Sequence, residues 1–94
     1  MTINKTTDGN KITIALEGRL DTSTAPELQE VVTELRGASD LTFDFEKLMY
    51  ISSAGLRVLM IAKKGIQNVN IININDDIKE IFDITGFSTI FNIG

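Results

Sequence analysis

The sequence predicts an α/β fold, a mixed and mostly parallel β-sheet flanked by helices in the order β-β-α-β-α-β-α-β, and three observations predict it. Apolar and polar residues alternate over Lys11–Leu16 and Leu41–Phe45, the period of a strand with one face against a core. Apolar residues recur at helical spacing after Thr24 and again after Asn75. The two patterns take turns along the chain, and strands separated by single helices must be joined by right-handed crossovers and so run parallel.

Taken in order, Thr2–Thr6 and Lys11–Leu16 form an N-terminal hairpin around the turn-forming Asp8-Gly9-Asn10, with Ile12, Ile14 and Leu16 on one side of the second strand. Thr24-Ala25-Pro26-Glu27 has the spacing of a capping box with proline in the first turn, and Leu28, Val31, Val32 and Leu35 then mark a helix that stops before Gly37. Leu41, Phe43 and Phe45 alternate with Thr42 and Asp44 in a third strand that leads to Ser52 and Ser53, with Glu46 and Lys47 read as loop. From Ala54 to about Lys64 a helix carries Leu56, Val58, Leu59, Met60, Ile61 and Ala62 over more than one face, so either two sides are buried or one strip awaits a partner. Val69–Ile74 reads as a strand covered on both faces. Asn75, Asp76 and Asp77 begin a helix with Ile78, Ile81 and Phe82 on one stripe and a glycine end at Gly86, and a short strand over Ile90–Ile93 closes the chain.

Composition bounds the function. The 94 residues show no composition break, which predicts one domain over 1–94. A net charge of −4 omits the basic surface that dominates nucleic-acid affinity, so no direct nucleic-acid partner is expected. With neither cysteine nor histidine there is no disulfide, no common zinc site and no Ser-His-Asp or Cys-His arrangement, which leaves only a carboxylate enzyme using residues such as Asp21 and Asp44. No glycine loop of the phosphate-cradling type is present, so neither a cofactor nor a metal is expected. No apolar run approaches the ~20 residues of a membrane helix and Met1–Asn10 lacks a signal-peptide pattern, so the expectation is a cytoplasmic protein without membrane insertion.

Two segments carry the candidate chemistry. Tyr50-Ile51-Ser52-Ser53-Ala54-Gly55-Leu56 sits where a strand ends and a helix begins, the usual place for sites in α/β sheets. One of its serines reads as the helix N-cap, worth about 1 kcal/mol. Equally, one reads as a phosphoacceptor, because the positive end of a helix hosts an anionic group. Gly55 removes a side chain where another protein would approach, and Arg57 is the one charged residue in the first turns. The second segment is the polar loop Gly18-Arg19-Leu20-Asp21-Thr22-Ser23-Thr24, where Asp21 also reads as a turn former. If both loops lie at one end of parallel strands, Asp21 and Ser53 become neighbours.

Gly18-Arg19-Leu20-Asp21, Ser23-Thr24-Ala25, Asp44-Phe45, the Tyr50–Leu59 segment and Ile81-Phe82-Asp83-Ile84-Thr85-Gly86-Phe87 together resemble the STAS family over essentially the whole chain, in particular the bacterial anti-sigma factor antagonists. The resemblance implies a single STAS-like domain, not an enzyme, whose unmodified form binds an anti-sigma factor with serine kinase activity and so releases a sigma factor. It also implies that phosphorylation of Ser53 ends the binding and that a serine phosphatase resets it. The partner surface implied is Asp21, Thr22, Ser52, Ser53, Gly55, Leu56 and Arg57. In one common pattern of the family an aspartate precedes the phosphoacceptor; this chain has Ser52 there, which makes Ser52 a minor alternative acceptor. The alternative function is a non-switching STAS subunit of a larger complex, transporter-associated or a stress-signalling scaffold, in which Ser53 only caps its helix.

Overall fold

A computed structural model describes residues 1–94, and its elements follow the expected order: β1 (Thr2–Asp8), β2 (Lys11–Leu20), α1 (Ala25–Glu34), β3 (Asp40–Ile51), α2 (Ser53–Gly65), β4 (Asn68–Ile72), α3 (Asp76–Thr85), a 3-10 turn (Phe87–Thr89) and β5 (Asn92–Ile93). The strands lie in sequence order, β1-β2-β3-β4-β5. β1 pairs antiparallel with β2, and every later neighbour is parallel.

Because each crossover advances by one strand in the same direction, right-handed connections put all three helices on one face of the sheet. One cluster of 21 buried residues fills the space between, from Ile14, Leu16 and Leu20 on β2 through Phe43 and Phe45 on β3 to Leu28, Leu59 and Phe82 on the helices. Phe82 is the centre of an aromatic group, edge-on to Phe45 at 6.2 Å and to Phe87 at 5.8 Å.

The opposite face is polar and self-bonded. Thr13, Thr42, Asn70 and Asn92 stand side by side across the strands. The Asn70 amide donates to Asp40 at 2.8 Å, and Asn92 donates to Asn70 at 3.0 Å. This corrects the expectation for β4: Val69 and Ile71 are buried and Asn70 and Ile72 only half-buried, so one face is covered and not two.

β3 runs well beyond Phe45, so Glu46 and Lys47, expected in a loop, are strand residues. Between Ala15/Asp44 and Glu17/Lys47 it advances three residues against two of β2, and between Gly18/Leu48 and Arg19/Tyr50 two against one. Each extra residue is a β-bulge, which breaks the alternation of faces. Burial accordingly changes from every second residue to every third, at Phe45, Leu48 and Ile51.

Pairing with β4 ends at Asp44, so on that side of β3 the carbonyl of Leu48 has no neighbouring strand and takes a side-chain donor instead, Asn75 Nδ2 at 3.2 Å. The same side chain caps α3 by accepting from the Ile78 amide at 2.9 Å. Asn75→Ala removes both bonds, and an expected loss of about 1 kcal/mol, measured by urea unfolding, follows from the value of an N-cap. Asn75→Asp keeps the cap but not the donor and should fall between the two.

Candidate functional site

The parallel strands β2 and β3 end together, Leu20 opposite Ile51, and the ladder gains one further bond from the Ser52 amide to the Leu20 carbonyl at 2.9 Å. The loops bearing Asp21 and Ser53 therefore leave the sheet side by side, as the sequence reading required.

Past Leu20 the chain turns around Asp21. Its carboxylate accepts from the Ser23 hydroxyl at 2.7 Å, the Ser23 amide at 3.0 Å and the Thr24 amide at 3.2 Å. These donors stabilise the ionised form, the Ser23 hydroxyl most, and hold the carboxyl below its ordinary range. One of them, the Thr24 amide, is the donor that the capping box expected at Thr24 would have given to Glu27. The Thr24 hydroxyl makes no cap bond, because it donates to the Arg19 carbonyl at 2.8 Å and accepts from the Asp21 amide at 2.9 Å. A group whose folded pKa is depressed stabilises the fold above its ordinary pKa, and that contribution is lost as pH falls through the folded value. The Ser23 and Thr24 amide resonances are accordingly expected to titrate with a midpoint below that of an unbonded aspartate, and Asp21→Asn to abolish the transition.

The sequence left open which serine caps α2, and the structure assigns the cap to Ser52. Ser52, half-buried with extended backbone, is the N-cap: its hydroxyl accepts from the Gly55 amide at 3.4 Å. Ser53 is the first residue of α2 and exposed, and its hydroxyl has no partner in the protein.

Ser53 opens onto a shallow groove between the starts of α1 and α2, lined by Thr22, Pro26, Gln29, Arg57 and Val58. Arg57 is exposed, is the only charged residue on that lining and forms no ion pair. Thr22, Ser53 and Arg57 of the expected surface thus share one groove.

Gly55 and Leu56 are not part of that exposed surface. Both are buried, and a Cβ on Gly55 would stand 2.7 Å from Leu20 Cγ and 2.9 Å from Ile51 Cγ1. The bare glycine serves the approach of α2 to its own sheet, not the approach of another protein. Val58, which the sequence left as part of a strip awaiting a partner, is buried at 2% exposure, and Ile61 is half-buried against the core. The broad apolar surface of α2 is thus explained by two sides packed within the molecule, against the sheet and against α1.

Exposed apolar surface close to the serines in sequence comes from Tyr50, the first residue of the candidate segment, and from Met49 before it, which the sequence reading missed. Met49, the extra residue of the second bulge, is 77% exposed, and Tyr50 just past it 38%. The Arg19 guanidinium lies 4.2 Å from the Tyr50 ring centroid, and Arg19 Nε is 3.8 Å from Asp21. Their signal in the sequence was the three-residue spacing Phe45, Leu48, Ile51.

Asp21 and Asp44 do not form a carboxylate pair. Asp44 lies level with Ala15, six residues before Asp21 and so roughly 20 Å away along the strand, and it is bonded to Asn73 at 3.0 Å.

A family model described as the STAS domain matches residues 2–94. The anti-sigma-B factor antagonist of Staphylococcus aureus is 29% identical over 99% of this chain and 92% of its own length. Among solved structures, the anti-sigma factor antagonist SpoIIAA in its unphosphorylated form superposes with a TM-score of 0.79 at 15% identity, over 99% of this chain and 87% of that one. The phosphorylated form of Bacillus SpoIIAA gives 0.75 at 16% identity, over 99% and 91%. With the same order of elements and a family match that spans the two loops and the groove between them, the chain belongs to the STAS domain family.

Proposed function

We propose that this protein is an anti-sigma factor antagonist: unphosphorylated, it binds an anti-sigma factor that is also a serine kinase and so releases a sigma factor, and phosphorylation of Ser53 ends the binding. The observation that carries the reading is the exposed, unpartnered Ser53 hydroxyl on the first turn of α2, facing a groove, while Ser52 supplies the cap. The name of the Staphylococcus aureus relative and the existence of SpoIIAA in both phosphorylation states support it.

In the forward step the Ser53 oxygen bonds to the γ-phosphorus of ATP as the bond to the β-phosphate oxygen breaks. ADP leaves, and the hydroxyl proton passes to a base on the kinase. A serine phosphatase reverses the state by delivering water to phosphorus, which returns the hydroxyl and releases phosphate. The protein itself is substrate and ligand in this cycle, not catalyst, and it works in the cytoplasm, where ATP and the sigma factor are found. Met49, Tyr50 and Arg19 extend the binding surface, since exposed methionine, tyrosine and arginine are the residue types that anchor interfaces.

Phosphopeptide mass spectrometry of the purified protein after incubation with ATP and native-host lysate, with Ser53→Ala as control, tests the modification. Phosphate on Ser53 that the control lacks is expected. Repeated absence from an active lysate favours a non-switching STAS subunit of a larger complex, a reading to which Ser52, standing where a family pattern has aspartate, lends weight.

A further inference from the structure

Resting on the reading of Ser53 as phosphoacceptor, we propose that Arg57 is the intramolecular partner of the phosphate, so that modification withdraws from the binding surface the one cation the groove presents. Ser53 and Arg57 are four residues apart on α2 and line the same groove, and side chains at that spacing are neighbours on a helix, about 5–6 Å apart at Cβ. The order is the favourable one, anion toward the helix N-terminus and cation one turn on. A guanidinium presents a planar fork of donors that matches two phosphate oxygens at once.

Nothing else in the chain competes for either group. Neither of the two ion pairs, Arg19–Asp21 and Lys79–Asp83, involves Arg57. The rest of the groove is lined by Thr22 from the β2–α1 loop, Ala25, Pro26 and Gln29 from α1, and Ala54 and Val58 from α2 itself; none is charged. The nearest acid in the neighbouring loop, Asp21, is turned to Ser23 and Thr24. The first turn of α2 itself carries no acidic residue.

Phosphorylation then has two effects on one surface. A phosphate adds about −1.5 to −2 charges where the partner docks. It also folds Arg57 back onto its own helix, so an acidic group of the partner that met the guanidinium is left without a counter-charge.

The test needs neither kinase nor partner. Phosphoserine is installed at position 53 of the full chain during translation, and the second ionisation of the phosphate, ordinarily near pH 6, is followed by phosphorus NMR. The wild-type phosphate should titrate lower than that of Arg57→Gln by about 0.3 pH unit or more, because a neighbouring cation favours the dianion. Arg57→Lys should lie between them, Lys64→Gln at the far end of the helix should match the wild type, and 1 M salt should collapse the difference. Equal midpoints for wild type and Arg57→Gln overturn the pairing while leaving phosphorylation of Ser53 intact. Absence of phosphate in the lysate experiment removes the switch but leaves this titration unaffected.

Discussion

A Ser53→Asp protein is expected to keep its fold and to bind the anti-sigma factor at least about tenfold more weakly than the unmodified chain, a penalty of about 1.4 kcal/mol or more. Position 53 is the first of the helix and exposed, where an acidic side chain is favoured by the helix dipole, and α2 has no other acid in its first turn to repel it. The thermal midpoint should therefore stay level or rise slightly, so weakened binding cannot be assigned to unfolding. On the binding side, a charge placed in a surface that must be desolvated costs affinity unless the partner supplies a matching cation. Aspartate carries less charge and bulk than phosphate, so its effect is a lower bound on that of the modification. Isothermal titration against the anti-sigma factor reads the difference, with Ser53→Ala as the neutral reference. An affinity equal to that of wild type would remove the basis for a phosphate-controlled interface.

The division of labour between the two serines explains why such a switch need not disturb the fold. Were Ser53 the cap, a phosphate on it would replace the hydroxyl that satisfies a helix amide, and modification would fray α2. Because Ser52 caps, and also extends the β2–β3 ladder through its amide, the helix start is held from the residue before Ser53. The surface can change charge while the backbone beneath it stays where the sheet puts it.

Most of the fold was legible because local and global signals agree. Asn75 before Asp76-Asp77 and a left-handed Gly86 at the far end bracket α3 in the sequence as they do in the structure. Where the reading stopped short, tertiary context had changed the period. The alternation that identified β3 ends at Phe45 since two bulges shift the register of a strand that is still paired with β2, and a period of three looks like neither strand nor helix. That break hid Met49, and the exposure of Tyr50 beside it. The spacing of Thr24 to Glu27 fits a capping box, yet Asp21, three residues earlier, takes the Thr24 amide that Glu27 would have bound, and the Thr24 hydroxyl is engaged by the Asp21 amide and the Arg19 carbonyl. The breadth of the apolar surface on α2 was seen, but a sequence alone cannot tell an internal neighbour from an external one, and α1 turned out to supply the second contact.

Gly55→Ala is expected to destabilise the protein by about 1–2 kcal/mol, and its position makes the effect a test of how firmly the site is held. A Cβ there would meet Leu20 Cγ at 2.7 Å and Ile51 Cγ1 at 2.9 Å, mid-chain atoms of two buried residues that cannot swing into solvent. Overpacking of this kind costs about 1–3 kcal/mol. Alanine returns up to about 1 kcal/mol of helix propensity, so the balance stays unfavourable. For a domain of this size that corresponds to a thermal midpoint lower by roughly 5–15 °C. Gly65→Ala, at the other end of the same helix, separates packing from propensity: its Cβ would meet Arg36 Cγ at 3.4 Å, part of an exposed and flexible side chain, so that variant should be neutral or slightly more stable. Leu20 and Ile51 are the last residues of β2 and β3 before the Asp21 and Ser53 loops, so whatever relieves the clash at Gly55 must move the end of the sheet, the start of α2, or both. Loss of stability together with weaker binding would tie the placement of Ser53 to this close approach. A Gly55→Ala protein as stable as wild type would instead mean that the start of α2 slides over the sheet at little cost, and that the groove beside Ser53 is not a fixed shape.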